Sequence, residues 1–245
     1  MPGSLYDSLV SCAMDYVQTD TIVDVAIGPR CLAVQSPAGV GLAFVDAAAW
    51  SEAQSAGART LEETLRGSAL TTLIPRYRDG SPLYTALALA AINSLFIHTG
   101  DPATMDWPDL LRGIQRLGMV GYFCPIMDRL GLAGVTPVIF ELRDIPGTHK
   151  PEEAPALLPG CDGVLLTGAS FANKTIHQYI PHIAPGARAF IVGQSTPLAD
   201  FLLDRFTLGS SRLGNWEAAA PIIRFGGGVR DIKTFIDKVI RWEKQ

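Results

Sequence analysis

Residues 163–170 of this chain read Gly-Val-Leu-Leu-Thr-Gly-Ala-Ser, an apolar run that ends in small and hydroxyl side chains. The run does not alternate between apolar and polar positions. Continuous apolarity is typical of a strand buried on both faces, as in a parallel sheet that helices cover. The stretch therefore predicts a buried strand, Gly163–Thr167, with a loop of small residues directly after it.

Three similar apolar runs occur in the second half of the chain, separated by segments long enough for helices. This alternation predicts an α/β fold with a Rossmann-like, doubly wound and mostly parallel sheet. Thr207–Ser210 is a candidate fifth strand, and the apolar stripe from Val229 to Ile240, with Lys and Arg opposite, predicts a final helix. The three runs are Met119–Phe123, Pro137–Leu142 and Ala187–Gly193.

The first hundred residues follow a different pattern. Helices are predicted to begin at Ser4, at a capping box spanning Thr60–Glu63, and at Ser81-Pro82. Three strand-like runs separated by glycine and proline turns suit an antiparallel meander. The sequence thus predicts a small α+β domain over residues 1–103 and a Rossmann-like domain over 104–245. The three runs are Thr21–Ile27, Cys31–Ser36 and Gly41–Val45.

The composition excludes several classes of protein. With 48% hydrophobic and 18% charged residues, the 245-residue chain is too apolar to be disordered. A net charge of −4 with scattered basic residues argues against nucleic-acid binding. The most apolar stretch, Leu83–Ile97, is shorter than the roughly 20 residues of a membrane span, and the N-terminus is unlike a signal peptide.

These features predict a cytoplasmic protein with no membrane partner. The four cysteines are dispersed along the chain, which indicates reduced thiols rather than a disulfide framework. Low charge combined with high hydrophobicity predicts a homodimer.

Parallel sheets bind ligands beyond the carboxyl ends of their strands, where helix N-termini and loop N–H groups converge. Two of the predicted loops there combine glycine with hydroxyl side chains, Thr167-Gly-Ala-Ser170 and Gly193-Gln-Ser-Thr196. Glycine permits close approach of a ligand, and hydroxyls bind polar or anionic groups. The alternative is capping alone, for which Thr196-Pro197 would supply an N-cap and a first-position proline.

A nucleotide site at the first predicted strand is the second hypothesis. Glu141 lies 20 residues after Gly121, the interval between the glycine turn and the ribose-binding acid of a dinucleotide fold. The protein would then be an enzyme that binds NAD or S-adenosylmethionine there, with Glu141 on the ribose. Only one of the three fingerprint glycines is present, Tyr122 and Phe123 are bulky, and one βαβ repeat gives the same spacing.

A self-sufficient catalytic or metal motif is absent from the sequence. The four histidines do not pair at metal-ligand spacing, and His177 and His182 are too far apart to share a helix face. Cys124 is the one thiol of interest, because the start of a helix would lower its pKa; packing beneath the sheet edge is the alternative. The residues therefore predict a strand-end pocket but no reaction.

The paired loops Gly168–Asn173 and Gly193–Leu198 resemble those of the heavy-metal-chelation domain family. The resemblance extends over nearly the whole chain. It includes Met119–Phe123 and Val138–Asp144 as the first two strands of the family sheet, and Gly39–Phe44 with Ala88–Asn93 as its enolase N-terminal-like companion domain. The resemblance implies a polar cleft between two domains that handles a metal or a metal chelate, with a divalent transition metal ion as cofactor.

Carried onto this sequence, the resemblance places glycine, hydroxyl and amide residues of both loops in the cleft, together with Asn93 from the smaller domain. Asn93 could equally bond a core carbonyl, since a buried amide must find a partner. The sequence departs from the family at Ala169-Ser170, which replace two threonines, at Gln194, which replaces a proline, and at Lys174. The added donors leave the identity of the ligand open.

Three functions follow as hypotheses. The first is a protein that binds a small molecule or a metal chelate, with enzymatic activity on that molecule left open. The second is the nucleotide-binding enzyme, and the third is a non-catalytic oligomeric subunit. The candidate ligand-binding residues are Asn93, Gly121, Glu141, Thr167, Gly168, Ser170, Asn173, Lys174, Gly193, Gln194, Ser195 and Thr196.

Overall fold

A computed structural model describes residues 4–17, 19–78, 80–102, 110–122, 127 and 137–242. These residues form two β-sheets. The smaller sheet is an antiparallel meander of β1 (Asp24–Ile27), β2 (Cys31–Ser36) and β3 (Gly39–Phe44). The strands of the larger sheet are β4 (Asp101–Pro102), β5 (Leu117–Val120), β6 (Val138–Phe140), β7 (Gly163–Thr167), β8 (Arg188–Val192), β9 (Thr207–Leu213) and β10 (Ile236–Arg241).

The larger sheet has the order β4-β10-β9-β8-β7-β5-β6. Strands β5 to β9 pair in parallel, whereas β10 is antiparallel to β9 and β4 is antiparallel to β10. The predicted α/β fold, with a mostly parallel sheet and a smaller N-terminal domain, is therefore confirmed. Because β6 and β7 lie on opposite sides of β5, the strand order reverses there, which is where doubly wound sheets open a crevice.

The helices within the described residues begin largely where local chemistry predicts. Ser4 and Asp7 cap α1 reciprocally. Pro82 opens α5, whose first turn is bound by the Glu52 carboxylate through Ser81 Oγ and the Leu83 N–H. The helices are α1 (Leu5–Tyr16), α2 (Ala47–Ala56), α3 (Ala58–Leu65), α4 (Leu70–Leu73), α5 (Pro82–Phe96), α6 (Ala154–Leu157), α7 (Ala169–Ala172) and α8 (Trp216–Arg224).

The capping box predicted at Thr60 is wrong. Helix α3 begins at Ala58, because Gly57 ends α2 in the left-handed conformation, with φ at 71°, and the next helix starts immediately after it. Glycine adopts this conformation without steric cost. The Thr60 side chain therefore lies inside a helix that has already begun.

Both faces of the smaller sheet are buried. Val25 and Leu32 point into the main core that includes α5, whereas Ala26 and Ala33, their neighbours in sequence, pack against α8. This alternation follows from the two-residue period of strands. A helix from the second half of the chain therefore completes the first half, and the two parts are packed as one body along this contact.

A charged cluster accompanies that contact. Arg224, at the end of α8, donates from Nε to the Glu62 carboxylate at 2.9 Å and from Nη2 to the Val25 carbonyl at 2.6 Å. Glu62 is only 2% exposed. Asp24 accepts from Arg66 at 2.6 Å and from the Trp216 indole at 3.1 Å. Burial acts to raise the pKa of Asp24, but these hydrogen bonds and the charge of Arg224 outweigh it and lower that pKa.

The final helix predicted over Val229–Ile240 is wrong. Lys233–Phe235 form a single 3-10 turn, and β10 then pairs with β9 in antiparallel register, Val239 opposite Ser210. The β-branched residues of this segment suit a strand, and without it β9 would leave its backbone groups unpaired. Pairing with the sheet overrides the helical spacing of the apolar residues.

Strand β4 pairs with β10, so Asp101 and Pro102 belong to the larger sheet. The boundary predicted between residues 103 and 104 stays a prediction. Within the described residues, the segment 82–99 is long and apolar enough to cross a membrane, but 78% of it is buried inside the fold. It is the core helix on which the smaller sheet packs.

Candidate functional site

The turns that follow β7 and β8 lie side by side. The Gly168 N–H donates to the Val192 carbonyl at 2.6 Å, across two strands that pair in parallel along their length. A Cβ atom at Gly168 would stand 2.5 Å from Thr196 Oγ1. The two loops that the sequence singles out are therefore in direct contact at the carboxyl edge of the sheet.

The second of these loops is a tight turn over residues 193–196. Gly193 has φ at 129°, which favours glycine, and its N–H donates to the Gly209 carbonyl of β9 at 3.0 Å. The Thr196 N–H then donates to the Gly193 carbonyl and closes the turn. No helix begins at Pro197, and the next regular element is a 3-10 turn at Asp200–Leu202. The capping interpretation of Thr196 is therefore wrong.

The side chains of Ser195 and Asn93 form hydrogen bonds with backbone groups on the outer edge of the smaller sheet. Strand β3 pairs with β2 on one side only, so alternate residues present backbone groups away from the sheet. The Phe44 N–H donates to Ser195 Oγ at 2.7 Å, and Asn93 Nδ2 donates to the Leu42 carbonyl at 2.9 Å. The core-carbonyl interpretation of Asn93 thus accounts for its Nδ2 atom, and Ser195 joins the second part of the chain to the smaller sheet.

Three further candidates in the β7 loop make mainly local contacts. Ser170 Oγ donates to the Thr167 carbonyl at 2.5 Å, and Asn173 Oδ1 accepts from the Thr175 N–H and hydroxyl. Lys174 has φ at 54°, and its ammonium lies 5.3 Å from the centroid of the Tyr77 ring. These contacts shape the loop itself.

Two tyrosines that sequence reasoning missed bind the same loop, Tyr6 from α1 and Tyr77 from the 3-10 turn Ile74–Arg78. The Tyr6 hydroxyl donates to the Lys174 carbonyl at 2.7 Å and lies 2.8 Å from His177 Nδ1. Burial raises the pKa of Tyr6 to about 12. The Tyr77 hydroxyl donates to the Phe171 carbonyl at 2.7 Å. Both tyrosines are far from the loop in sequence, and no local signal connects them to it.

The first strand loop is held by Glu141. Its carboxylate accepts from the Tyr122 N–H at 3.0 Å and from the Arg143 N–H at 3.1 Å, and it pairs with the Arg143 guanidinium. Burial acts to raise the pKa of Glu141, but these hydrogen bonds outweigh it and lower that pKa. Gly121, with φ at 90°, packs directly against the Thr167 side chain. Phe123 and Cys124 lie outside the described residues.

Five buried side-chain polar atoms have no hydrogen-bond partner among the described residues. They belong to residues of α5, the 193–196 turn and β9, and we call these five residues the polar junction. They include three of the sequence-predicted candidates and two residues that the sequence analysis missed. The atoms are Asn93 Oδ1, Gln194 Oε1, Thr196 Oγ1, Ser210 Oγ and Arg212 Nε.

Hydrogen bonds connect the segments that carry these atoms. Gly193 bonds Gly209, the residue before Ser210. Ser210 and Arg212 share one face of β9, because side chains two apart in a strand point the same way. Arg212 Nη2 donates to the Ile97 carbonyl at 3.2 Å, one helical turn after Asn93, and also to the Gly100 carbonyl.

Arg212 is a cation without an ionic partner in the described part of the chain. Its Nη2 hydrogen bonds go to backbone carbonyls, and its Nε is buried without a partner. Ser210 and Arg212 are polar residues at alternate positions of a strand, and this pattern could have identified them in the sequence. The predicted strand Thr207–Ser210 ends before Arg212, so the prediction does not include the pair.

A bare metal ion does not fit the described residues. They contain no group of three or more His, Cys, Asp or Glu side chains that could hold one. The polar junction offers amide and hydroxyl oxygens, whereas transition metals favour imidazole and thiolate ligands. The guanidinium of Arg212 would also repel a cation placed beside it.

The fold and this strand-end junction define a two-part α/β protein with a polar contact between its parts. A family profile described as "Putative heavy-metal chelation" (DUF364) matches residues 106–241, and another with the same description (DUF4213) matches residues 10–96. The chain therefore belongs to the heavy-metal-chelation family.

Two solved structures from this family share the fold. A protein of unknown function from Desulfitobacterium hafniense is 22% identical, with 98% of this chain and 97% of that chain covered and a TM-score of 0.78. A second, from Pyrococcus horikoshii, is 18% identical, with 97% and 99% covered and a TM-score of 0.80. No curated protein matched the chain.

Proposed function

We propose that the protein binds a small polar chelating molecule, or the metal complex of such a molecule, at the polar junction. The observation that carries the proposal is that five buried side-chain polar atoms, on three segments that hydrogen bonds connect, have no partner among the described residues. A buried polar group left without a partner costs about 1–3 kcal/mol, and native proteins contain few of them. A ligand that supplies the missing partners would recover this cost.

The mixture of atoms indicates what such a ligand must carry. The oxygens of Asn93 and Gln194 accept hydrogen bonds, the Arg212 Nε donates one, and the hydroxyls of Thr196 and Ser210 can do either. A molecule with several donors and acceptors matches this set. Chelators have that character, and a chelate would satisfy the family description without requiring metal ligands from the protein.

The nucleotide alternative has less support. Both carboxylate oxygens of Glu141 already accept hydrogen bonds, from Tyr122 and Arg143, so a ribose would have to displace them. A homodimer, a cytoplasmic location and the enolase-like character of the smaller domain stay predictions.

Calorimetry with the full chain tests the proposal, using Ni²⁺ alone, citrate alone and the Ni²⁺–citrate complex as titrants. We expect saturable binding of citrate or of its complex, and weakening of that binding in a Thr196→Val, Ser210→Ala double variant. The matched control is Ser55→Ala, which removes an exposed hydroxyl from α2. Stoichiometric binding of Ni²⁺ alone, unaffected by the double variant, would contradict the proposal.

A further inference from the structure

The polar junction combines backbone N–H groups that donate to no other described residue with an arginine that has no carboxylate partner in the described part of the chain. The N–H groups of Gln194 and Ser195 make no hydrogen bond to any other described residue, although their neighbours Gly193 and Thr196 both do. They stand at the carboxyl end of β8, where open parallel sheets bind ligands. Backbone N–H groups at such places commonly receive anions.

The second observation is a buried hydroxyl beside these donors. Thr196 is only 1% exposed, its Oγ1 has no partner among the described residues, and that oxygen lies close to Gly168 of the neighbouring turn. Ser210, 6% exposed, adds a second such hydroxyl one residue beyond the Gly193–Gly209 bond. A buried hydroxyl without a partner is stabilised most by a hydrogen-bond acceptor to which it can donate.

Arg212 supplies the charge. Its Nη2 donates to the Gly100 carbonyl, and Gly100 lies against the Leu198 side chain, two residues after Thr196. Arg212 is partly buried, and its Nε is a buried donor of the kind that is costly unless it is hydrogen-bonded. Among the described residues, Arg212 donates hydrogen bonds to backbone carbonyls, and it has no carboxylate partner there.

From these observations we infer that the polar junction is an oxyanion site, which receives a carboxylate or a phosphate group of the ligand. The inference rests on the proposed function and deepens it by assigning the class of ligand. The anionic oxygens accept from the Gln194 and Ser195 N–H groups and from Thr196 Oγ1, and the Arg212 guanidinium balances their charge. Charge-assisted hydrogen bonds of this kind are roughly twice as strong as neutral ones.

Amide NMR of the full-length, ¹⁵N-labelled protein tests the site, with citrate, inorganic phosphate and the uncharged trimethyl citrate as probes. We expect citrate or phosphate to shift the Gln194 and Ser195 amide signals saturably, and trimethyl citrate to leave them in place. Citrate acting alone would assign a carboxylate site, and phosphate acting alone a phosphate site. Saturable shifts confined to other parts of the chain would overturn the inference.

Two variants separate the contributions. Thr196→Val removes the hydroxyl at constant shape, and Arg212→Met removes the charge while keeping an unbranched side chain. Each should weaken binding of the anionic probe at least tenfold, whereas Arg230→Met, at an exposed arginine, should not. If Arg212→Met does not fold, Thr196→Val decides the result. Equal binding of trimethyl citrate and citrate would overturn the oxyanion site but leave the proposed function standing; no binding of any probe would overturn both.

Discussion

Gly168 approaches Thr196 so closely that a Cβ atom on the glycine would stand 2.5 Å from the threonine hydroxyl oxygen and 2.7 Å from its backbone nitrogen. The backbone of Gly168 is ordinary, with φ at −59°, so the turn itself does not require glycine. The contact between the two loops requires it. The polar junction exists because these loops meet without a side chain between them.

Gly168→Ala should therefore destabilise the protein. The clash involves backbone at Thr196, which cannot rotate away, and overpacking of this kind costs about 1–3 kcal/mol. Urea denaturation measures the change. Gly186→Ala is the matched control, because a Cβ there meets no atom within 4 Å, and it should change the free energy of unfolding little. Equal stability of the two variants would show that the loops are not in contact.

Ser195→Ala and Thr196→Val should differ in their effect on stability. Removing Ser195 Oγ leaves the Phe44 N–H without its partner, which costs about 1–3 kcal/mol. Thr196 Oγ1 has no partner among the described residues, so its replacement by a methyl group of similar shape should be nearly neutral or stabilising in the absence of ligand. Thermal unfolding without added ligand checks both. A larger loss for Thr196→Val would mean that the hydroxyl is structural.

Arg224→Met should be strongly destabilising. It removes the guanidinium that lies 2.9 Å from the buried Glu62 carboxylate and leaves that carboxylate the mostly exposed Arg59 at 3.3 Å. Breaking a buried ion pair by removing one partner costs about 3–5 kcal/mol, and the remaining Arg59 pair sets this as the upper end of the expected loss. The measurement is the free energy of unfolding in urea, with exposed Arg230→Met as control. A cost no greater than that of the control would show that α8 does not depend on this ion pair.

Stability should fall in acid partly through Asp24. Its pKa is lowered in the folded protein, so the unfolded chain binds the proton first as the pH decreases. The contribution is complete above about pH 5, about one unit above the ordinary pKa of Asp, and is lost as the pH falls further. Melting temperatures from pH 6 to pH 3 should therefore decline less steeply in Asp24→Asn than in the wild type. Asp237→Asn, at an exposed position of β10, should retain the wild-type decline.

The parallel strands could be predicted because strands buried on both faces appear in the sequence as continuous apolar runs. Gly163–Thr167 is predicted with the bounds that the structure gives, and so is Cys31–Ser36, an antiparallel strand of the smaller sheet that is likewise buried. The segment before Arg241 could not, because its apolar residues suit either a helix or a strand. Only the unpaired edge of β9 decides between them, and that edge is a property of the assembled sheet.

The same limit applies to the candidate site. The glycine and hydroxyl residues of the two loops are visible in the sequence, since each loop follows a recognisable strand. Arg212 reaches the junction from β9, and Tyr6 reaches the neighbouring loop from α1. These side chains become neighbours only through tertiary packing, so their contacts cannot be predicted from spacing in the sequence.

Mass spectrometry of the small molecules released by denaturing the native protein tests whether the polar junction holds a polar ligand. The wild type and the Thr196→Val, Ser210→Ala double variant would be purified side by side and their extracts compared, with elemental analysis of each. We expect a multifunctional polar compound, free or complexed with metal, that the wild type retains and the double variant loses. Identical extracts from both proteins, or a bare metal ion retained by both, would contradict ligand binding at the polar junction.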